Sequence, residues 1–285
     1  MEWSVCTEWD SVSQVSNGSE YSQLRNRYEV DGVVQIKKFL SKENQESLDS
    51  ALEFAVKNPS AMFSNLSELD AGQFLFDFLN FRKNPYLKKI IFDPGLNEKL
   101  SYVTGSKTLR FFHDVLLMKT GDAPITPWHQ DRPHYVIDGN YNFSVWICLD
   151  TVNEENSLAF IPGSHRSGRL FVPHSFKDGS KLGIESEDFQ FLTNEKLTDL
   201  SSGGITIFRY EPGDAIIFDN RILHRGLRGP GLVQRRAMSL RYAGDGACLT
   251  KKYIDPHPPM ERLGMKVSEG SPLDEVWFPL TYSRP

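Results

Sequence analysis

The chain has 285 residues, a net charge of −5, and near-average shares of hydrophobic (39%) and charged (24%) residues. These proportions exclude a disordered chain. The acidic balance argues against general nucleic-acid binding, and the lack of an 18-residue apolar run argues against a membrane-spanning helix.

In chain order, residues 1–27 are polar without clear periodicity and are expected to form a loosely ordered arm. The opening MEWSVCTEWD has neither a basic nor an apolar leader region. Cys6, Cys148 and Cys248 are too far apart for a disulfide framework, so a cytoplasmic protein is expected. Residues 28–40 (YEVDGVVQIKKFL) alternate and predict a strand. Ser41 suits a helix N-cap, with Glu43 in the first turn and a stripe of Leu48, Leu52 and Ala55. Asn44 stands where a full capping box would have Glu or Gln. Two or three helices are expected over residues 67–104, broken at Pro85 and Pro94. There Phe74, Phe76, Phe78 and Phe81 read as core rather than as a substrate cage. From residue 108 short β-rich runs follow one another, among them NFSVWICLD, GGITIFRYE, DAIIFDN and RRAMSLRY. They predict a mainly β protein: a jelly roll at about 108–243, with an α-helical layer at about 41–104 packed on it and a proline-rich tail over 244–285, all one domain from residue 28.

The chemistry concentrates in Pro127-Trp128-His129-Gln130-Asp131. On an extended strand residues i and i+2 share a face, so His129 and Asp131 can reach one ion. A third ligand is found 95 residues on, at His224, after the DAIIFDN run. Two imidazoles and one carboxylate make the facial triad of non-haem Fe(II) oxygenases, which leaves positions open for a co-substrate and O₂. Eleven residues after His224 comes Arg235, whose planar fork suits a carboxylate. Taken alone, the His-x-Asp is as well explained by a surface loop, and Arg235 without the triad is better explained by a surface ion pair. Arg236 follows, and since strand side chains alternate only one of the two can face a pocket.

The order His129-x-Asp131, His224, Arg235 resembles the phytanoyl-CoA dioxygenase family of Fe(II)- and 2-oxoglutarate-dependent oxygenases. So do Asp31-Gly32-Val33-Val34, the helix after Ser41, Lys119-Thr120-Gly121, the run Ser144 to Asp150, and the run Ser157 to Arg166. The resemblance implies a double-stranded β-helix (cupin-like) and oxidative decarboxylation of 2-oxoglutarate to succinate and CO₂. It implies that His129, Asp131 and His224 bind Fe(II). Arg235 would take the distal carboxylate of 2-oxoglutarate, with Trp146, Gln130 and His113 lining that pocket. Members often have a serine two residues after the distal histidine; here it is Gly226. Halogenating relatives have a small residue where Asp131 stands, so hydroxylation is favoured over halogenation.

For the substrate, Arg132, His134, Tyr135, Arg225 and Arg241 together suggest recognition of an anionic group. Each arginine taken singly is better explained by a structural ion pair. His165 reads as a hydrogen-bonding turn residue, and His174 and His257 as loop surface. The tail resembles those of bacterial members that hydroxylate small polar metabolites. The expected substrate is a small polar or anionic metabolite, for example an aminophosphonate such as 2-aminoethylphosphonate. The alternatives are a terpenoid or alkaloid tailoring oxygenase, and a non-catalytic cupin-like metal-binding module. No nucleic-acid or membrane partner is expected, and the protein is expected to be a monomer or homodimer.

Overall fold

A computed structural model of the chain describes residues 18–66, 72–121, 123–228 and 234–284. Helix α1 (Gly18–Asp31) comes first. It ends where Gly32 takes φ +77° and its N–H returns to the carbonyl of Tyr28, a left-handed stop that glycine adopts without strain. The arm expected over 1–27 is therefore corrected for residues 18–27, and residues 1–17 lie outside the described residues. The apolar pattern of α1 is too sparse to predict a helix. Burial of Leu24 and Tyr28 in the core secures it. The strand expected over 28–40 shrinks to β1 (Val33–Ile36).

Helix α2 (Lys42–Lys57) begins at Ser41, whose hydroxyl accepts the Asn44 N–H at 3.1 Å, and buries Leu48, Leu52 and Ala55 as their spacing predicts. Beyond it, β2 (Ser64–Asn65) and β3 (Gly72–Phe78) pair antiparallel. Strand β3 replaces a helix expected there. Phe74, Phe76 and Phe78 repeat every second residue, which places them on one face of a strand. Helices α3 (Pro85–Ile91) and α4 (Pro94–Thr104) follow as expected, each with proline in the first turn and a side-chain cap, Asn84 or Asp93.

The rest is largely β: β4 (Thr108–Gly121), β5 (Ile137–Asp138), β6 (Phe143–Cys148), β7 (Leu158–Phe160), β8 (Leu170–Phe171), β9 (Phe189–Gln190), then α5 (Asn194–Leu200), β10 (Thr206–Ile207), β11 (Ala215–Asp219), β12 (His224–Gly226), β13 (Gln234–Ala243), β14 (Cys248–Leu249) and β15 (Leu280–Ser283). The main antiparallel sheet runs β1-β11-β6-β13-β4-β3-β2, with β15 also on β4. A smaller sheet, β10-β7-β12, faces it. This is the mainly β, jelly-roll class the sequence predicts.

Alternation decides which residues meet. On β6, Phe143, Val145 and Ile147 face α1–α4 and join Leu48, Leu100, Ile217 and Leu240 in one core. Trp146 and Cys148 point the other way, into the space between the sheets, with Phe160, Tyr210 and Phe218. The registers then lay interior residues in cross-strand rows. The first runs Phe218, Ser144, Arg241, His113. The next runs Ile216, Trp146, Ser239, Val115, Phe78, and the third Cys148, Ala237, Leu117, Phe76. The last runs Arg235, Lys119, Phe74. These rows floor the cavity described next.

Candidate metal centre and its cavity

His129 and His224 form an isolated antiparallel bridge, each N–H donating to the other's carbonyl (3.0 and 2.9 Å). That pairing brings residues 95 apart into contact. Asp131 arrives differently from the expected strand alternation. Its backbone is α-like (φ −75°, ψ −34°) and starts a single 3₁₀ turn, Arg132–His134. Its Oδ1 lies 3.8 Å from the Nε2 of both imidazoles. One ligand atom from each residue lies within 4.8 Å of the others, and all three residues are buried.

The protonation pattern suits a divalent cation. His129 Nδ1 is 2.9 Å from the Pro127 carbonyl and His224 Nδ1 is 3.1 Å from that of Ile222. A carbonyl only accepts, so each Nδ1 carries the hydrogen and each Nε2 turns a lone pair inward. Burial, then the neighbouring His224, push His129 down to about 3. Burial lowers His224 as well. Burial alone would raise Asp131. Arg241 above all, and then the imidazoles, overcome it and hold the carboxyl well below the ordinary range. Arg241 Nη2 is 3.1 Å from Asp131 Oδ2, and Ser144 Oγ is 3.2 Å from the same oxygen. Arg241 Nε in turn donates to the Tyr135 hydroxyl at 2.5 Å. One carboxylate oxygen is thus clamped, and Oδ1 stays free beside the imidazoles.

Buried imidazoles have a consequence for stability. His113, like His129, is pushed from 6.5 to about 3, by burial and then by Arg241. The unfolded chain would bind protons below about pH 6.5 that the native protein refuses. These groups' contribution is therefore complete above pH 6.5 and is lost as pH falls toward 3. The urea midpoint of metal-free protein is expected to fall between pH 7.5 and pH 5. An unchanged midpoint would show that both imidazoles protonate freely in the native protein.

The triad opens into a cavity of about 270 Å³. Arg235, Trp146, His113, His134, Tyr135 and Arg241 all line it. Alternation settles the arginine pair. Arg235 is buried on the inner face with its guanidinium 5.9 Å from the Trp146 ring. Arg236 points outward to Asp150 (2.7 Å) and Asp49 (3.7 Å). Burial brings Arg235 down to about 10, still a cation at neutral pH.

Three expected site residues are not in the cavity. Gln130 spends its amide on the backbone of Arg169, Arg221 and Phe171, tying loops together. Arg132 pairs with Asp138 (3.1 Å) and donates to the Tyr135 and Lys252 carbonyls. Arg225 alternates away from His224 and lies 5.0 Å from the Trp128 ring. Conversely, Phe74, Phe76 and Phe78 line the cavity, as do His174 and His257, which the sequence reading assigned to surface. His165, as expected, makes a hydrogen bond, to the Glu29 carbonyl at 3.2 Å. Its ring also fills the space beside Gly32. Lys119, which the sequence placed only in the family-like run Lys119-Thr120-Gly121 and gave no role, is buried beside Arg235 in the last row.

A jelly roll with two imidazoles, a free carboxylate oxygen and a buried arginine in one cavity defines a non-haem iron, 2-oxoglutarate oxygenase. The sequence profile of the phytanoyl-CoA dioxygenase family matches residues 28–236, and the chain belongs to that family. Its cofactors are those of the class, Fe(II) with 2-oxoglutarate and O₂ as co-substrates. Solved structures are similar over nearly the whole chain. The non-haem α-ketoglutarate-dependent epimerase SnoN from nogalamycin biosynthesis is 20% identical (TM-score 0.72; 94% of this chain, 98% of that one). The carbocyclase SnoK of the same biosynthesis is 19% identical (TM-score 0.69; 95% and 99%). EctD from S. alaskensis, solved with 2-oxoglutarate and 5-hydroxyectoine, is 19% identical (TM-score 0.64; 99% and 92%). No curated protein sequence matches the chain. Among the described residues no helix is long and apolar enough to cross a membrane.

Proposed function

We propose that the protein hydroxylates a C–H bond of a compact, largely apolar, ring-bearing molecule, with His129, Asp131 and His224 holding Fe(II) and Arg235 and Trp146 receiving 2-oxoglutarate. The observation that carries the substrate class is the cavity wall. Phe74, Phe76, Phe78, Leu117, Phe176 and Leu182 make most of its substrate side. Phe176 closes it at one end, its ring 4.7 Å from that of His129. The cationic cluster expected for an anionic metabolite does not assemble there. Arg132 and Arg225 lie elsewhere, and Arg241 is committed to Asp131. This weakens the aminophosphonate reading and favours the tailoring one. The cavity is near the lower end of ligand pockets, roughly 300–1,000 Å³, which suits a compact molecule rather than a long acyl ester.

Fe(II), when bound, supplies the O₂ and one-electron chemistry that side chains lack. The chain's residues do the rest. The two imidazoles present lone pairs, and Arg241 with Ser144 keeps Asp131 from rotating. The aromatic wall excludes water and holds the substrate face. His113, His134 and Tyr135 offer polar contacts to a ring hydroxyl. Asp131 would hold the iron through a carboxylate and so leave that position closed to a halide, which supports hydroxylation over halogenation.

The test is succinate release from 2-oxoglutarate by Fe(II)-loaded protein, with panels of hydroxylated ring compounds, aminophosphonates and acyl-CoA esters. Stimulation by ring compounds is expected. Stimulation by 2-aminoethylphosphonate alone would restore the anionic-metabolite reading, and no succinate in any panel would favour a metal-binding module.

A further inference from the structure

Several buried polar side-chain atoms have no hydrogen-bond partner among the described residues, and of these His113 Nε2 is the one whose residue lines the cavity. The ring around it is fixed. His113 Nδ1 is 3.3 Å from the Asp114 carbonyl, which only accepts, so Nδ1 carries the hydrogen and Nε2 a lone pair. Phe112 and Tyr135 meet the imidazole edge-on at 4.5 and 5.3 Å, and Phe78 lies 6.1 Å away. Burial, then Arg241, push His113 down to about 3, so the lone pair persists at neutral pH. A buried acceptor left empty costs roughly 1–3 kcal/mol, which a donor on a ligand would relieve.

The neighbouring donors are already engaged. Arg241, the register partner of His113, directs its guanidinium to Tyr135, Ser239 and Asp131. The Tyr135 hydroxyl is hydrogen-bonded to both Arg241 and Asp131. A second ring of the cavity has the same polarity as His113. His134 Nδ1 is 2.9 Å from the Asp255 carbonyl, burial favours the neutral ring, and its Nε2 is therefore also an acceptor. This end of the cavity is rich in acceptors, and a ligand fits it through a donor. An ammonium donor would be repelled by the Arg241 guanidinium, whereas a hydroxyl is neutral. The place also belongs to the substrate. His113 lies six residues along β4 from Lys119, the register partner of Arg235, or about 20 Å. A 2-oxoglutarate received at Arg235 cannot span that distance.

We infer that His113 Nε2 accepts a hydrogen bond from a hydroxyl on the substrate's ring, so that the cavity prefers a ring alcohol to the matching ketone or methyl ether. The inference rests on the ring-compound reading above and deepens it by naming the polar group and its polarity. His113 is a specificity residue, and its one bond fixes which part of the ring turns toward the triad.

The experiment is anaerobic calorimetry on protein loaded with Fe(II) and 2-oxoglutarate, titrated with borneol, camphor and bornyl methyl ether. The three share one compact apolar frame and differ in carrying a hydroxyl, a carbonyl or a methoxy group. Wild type is expected to bind borneol about 10-fold or more tighter than the other two, the weight of satisfying a buried acceptor against leaving it empty. His113→Phe keeps a planar ring without Nε2 and should bind all three alike. His113→Gln, whose amide both accepts and donates, should keep borneol and gain camphor. Thermal melting checks each fold first, and if His113→Phe does not fold, His113→Gln is read alone. Equal binding of borneol and camphor by wild type overturns the inference, as does an alcohol preference that the variants leave unchanged. If wild type binds none of the three, the ring-compound reading itself fails, and this inference with it.

Discussion

His224→Ala is expected to abolish Fe(II) binding and, with it, succinate formation. In the proposed centre His224 supplies one of three inward lone pairs, with Nδ1 fixed by the Ile222 carbonyl. Alanine leaves a buried carboxylate and one imidazole, too few donors to hold a divalent ion against water. Losing an outer-shell partner typically lowers metal affinity 10–100-fold, and losing a ligand should exceed that. Arg241→Met provides the comparison. It removes the clamp on Asp131 Oδ2 and leaves all three donors, so its loss should stay within the outer-shell range. Iron stoichiometry after anaerobic loading reads both. A His224→Ala protein that binds iron as well as wild type would place the metal elsewhere.

Arg235→Met is expected to raise the KM for 2-oxoglutarate about 30-fold or more, since truncating one partner of a buried charge pair costs roughly 2–5 kcal/mol. The guanidinium is buried and stays cationic, and its fork opens beside Gly226. Arg236→Met is the matched control. Arg236 lies one residue along the same strand but faces out to Asp150 and Asp49, and exposed pairs are worth roughly 0–1 kcal/mol. Its KM should therefore change only a few-fold. The contrast is read by initial rates at varied 2-oxoglutarate. Equal effects of the two substitutions would refute the assignment of Arg235 to the co-substrate.

Much of the centre was legible because its residues carry unusual local chemistry. A His-x-Asp near a β-rich region, a later histidine after an apolar strand and a basic residue beyond it restrict the fold and the metal together. Strand parity allowed only one of Arg235 and Arg236 to face the pocket, and the spacing after His224 favoured Arg235. Errors came where the type of element was misread. Gly72–Phe78 taken as helix hid three phenylalanines of the cavity wall, since a helix would have spread them around its axis. Proximity in sequence to the triad also misled. Arg132, one residue from Asp131, turns away with the 3₁₀ turn, and Gln130 braces loops. His174 and His257 sit in segments with no periodic pattern, yet those segments fold over the cavity mouth.

The sequence by itself determined the fold class, the capped helices and the donor types at the proposed metal centre, because each depends on local spacing or side-chain chemistry. The tertiary structure alone decided how the substrate side is lined and how the buried cations are matched, because both depend on strand register between segments more than 100 residues apart, as between Lys119 and Arg235 or His113 and Arg241. Register is set by which whole faces bury best against each other, and no local window of the chain contains that sum.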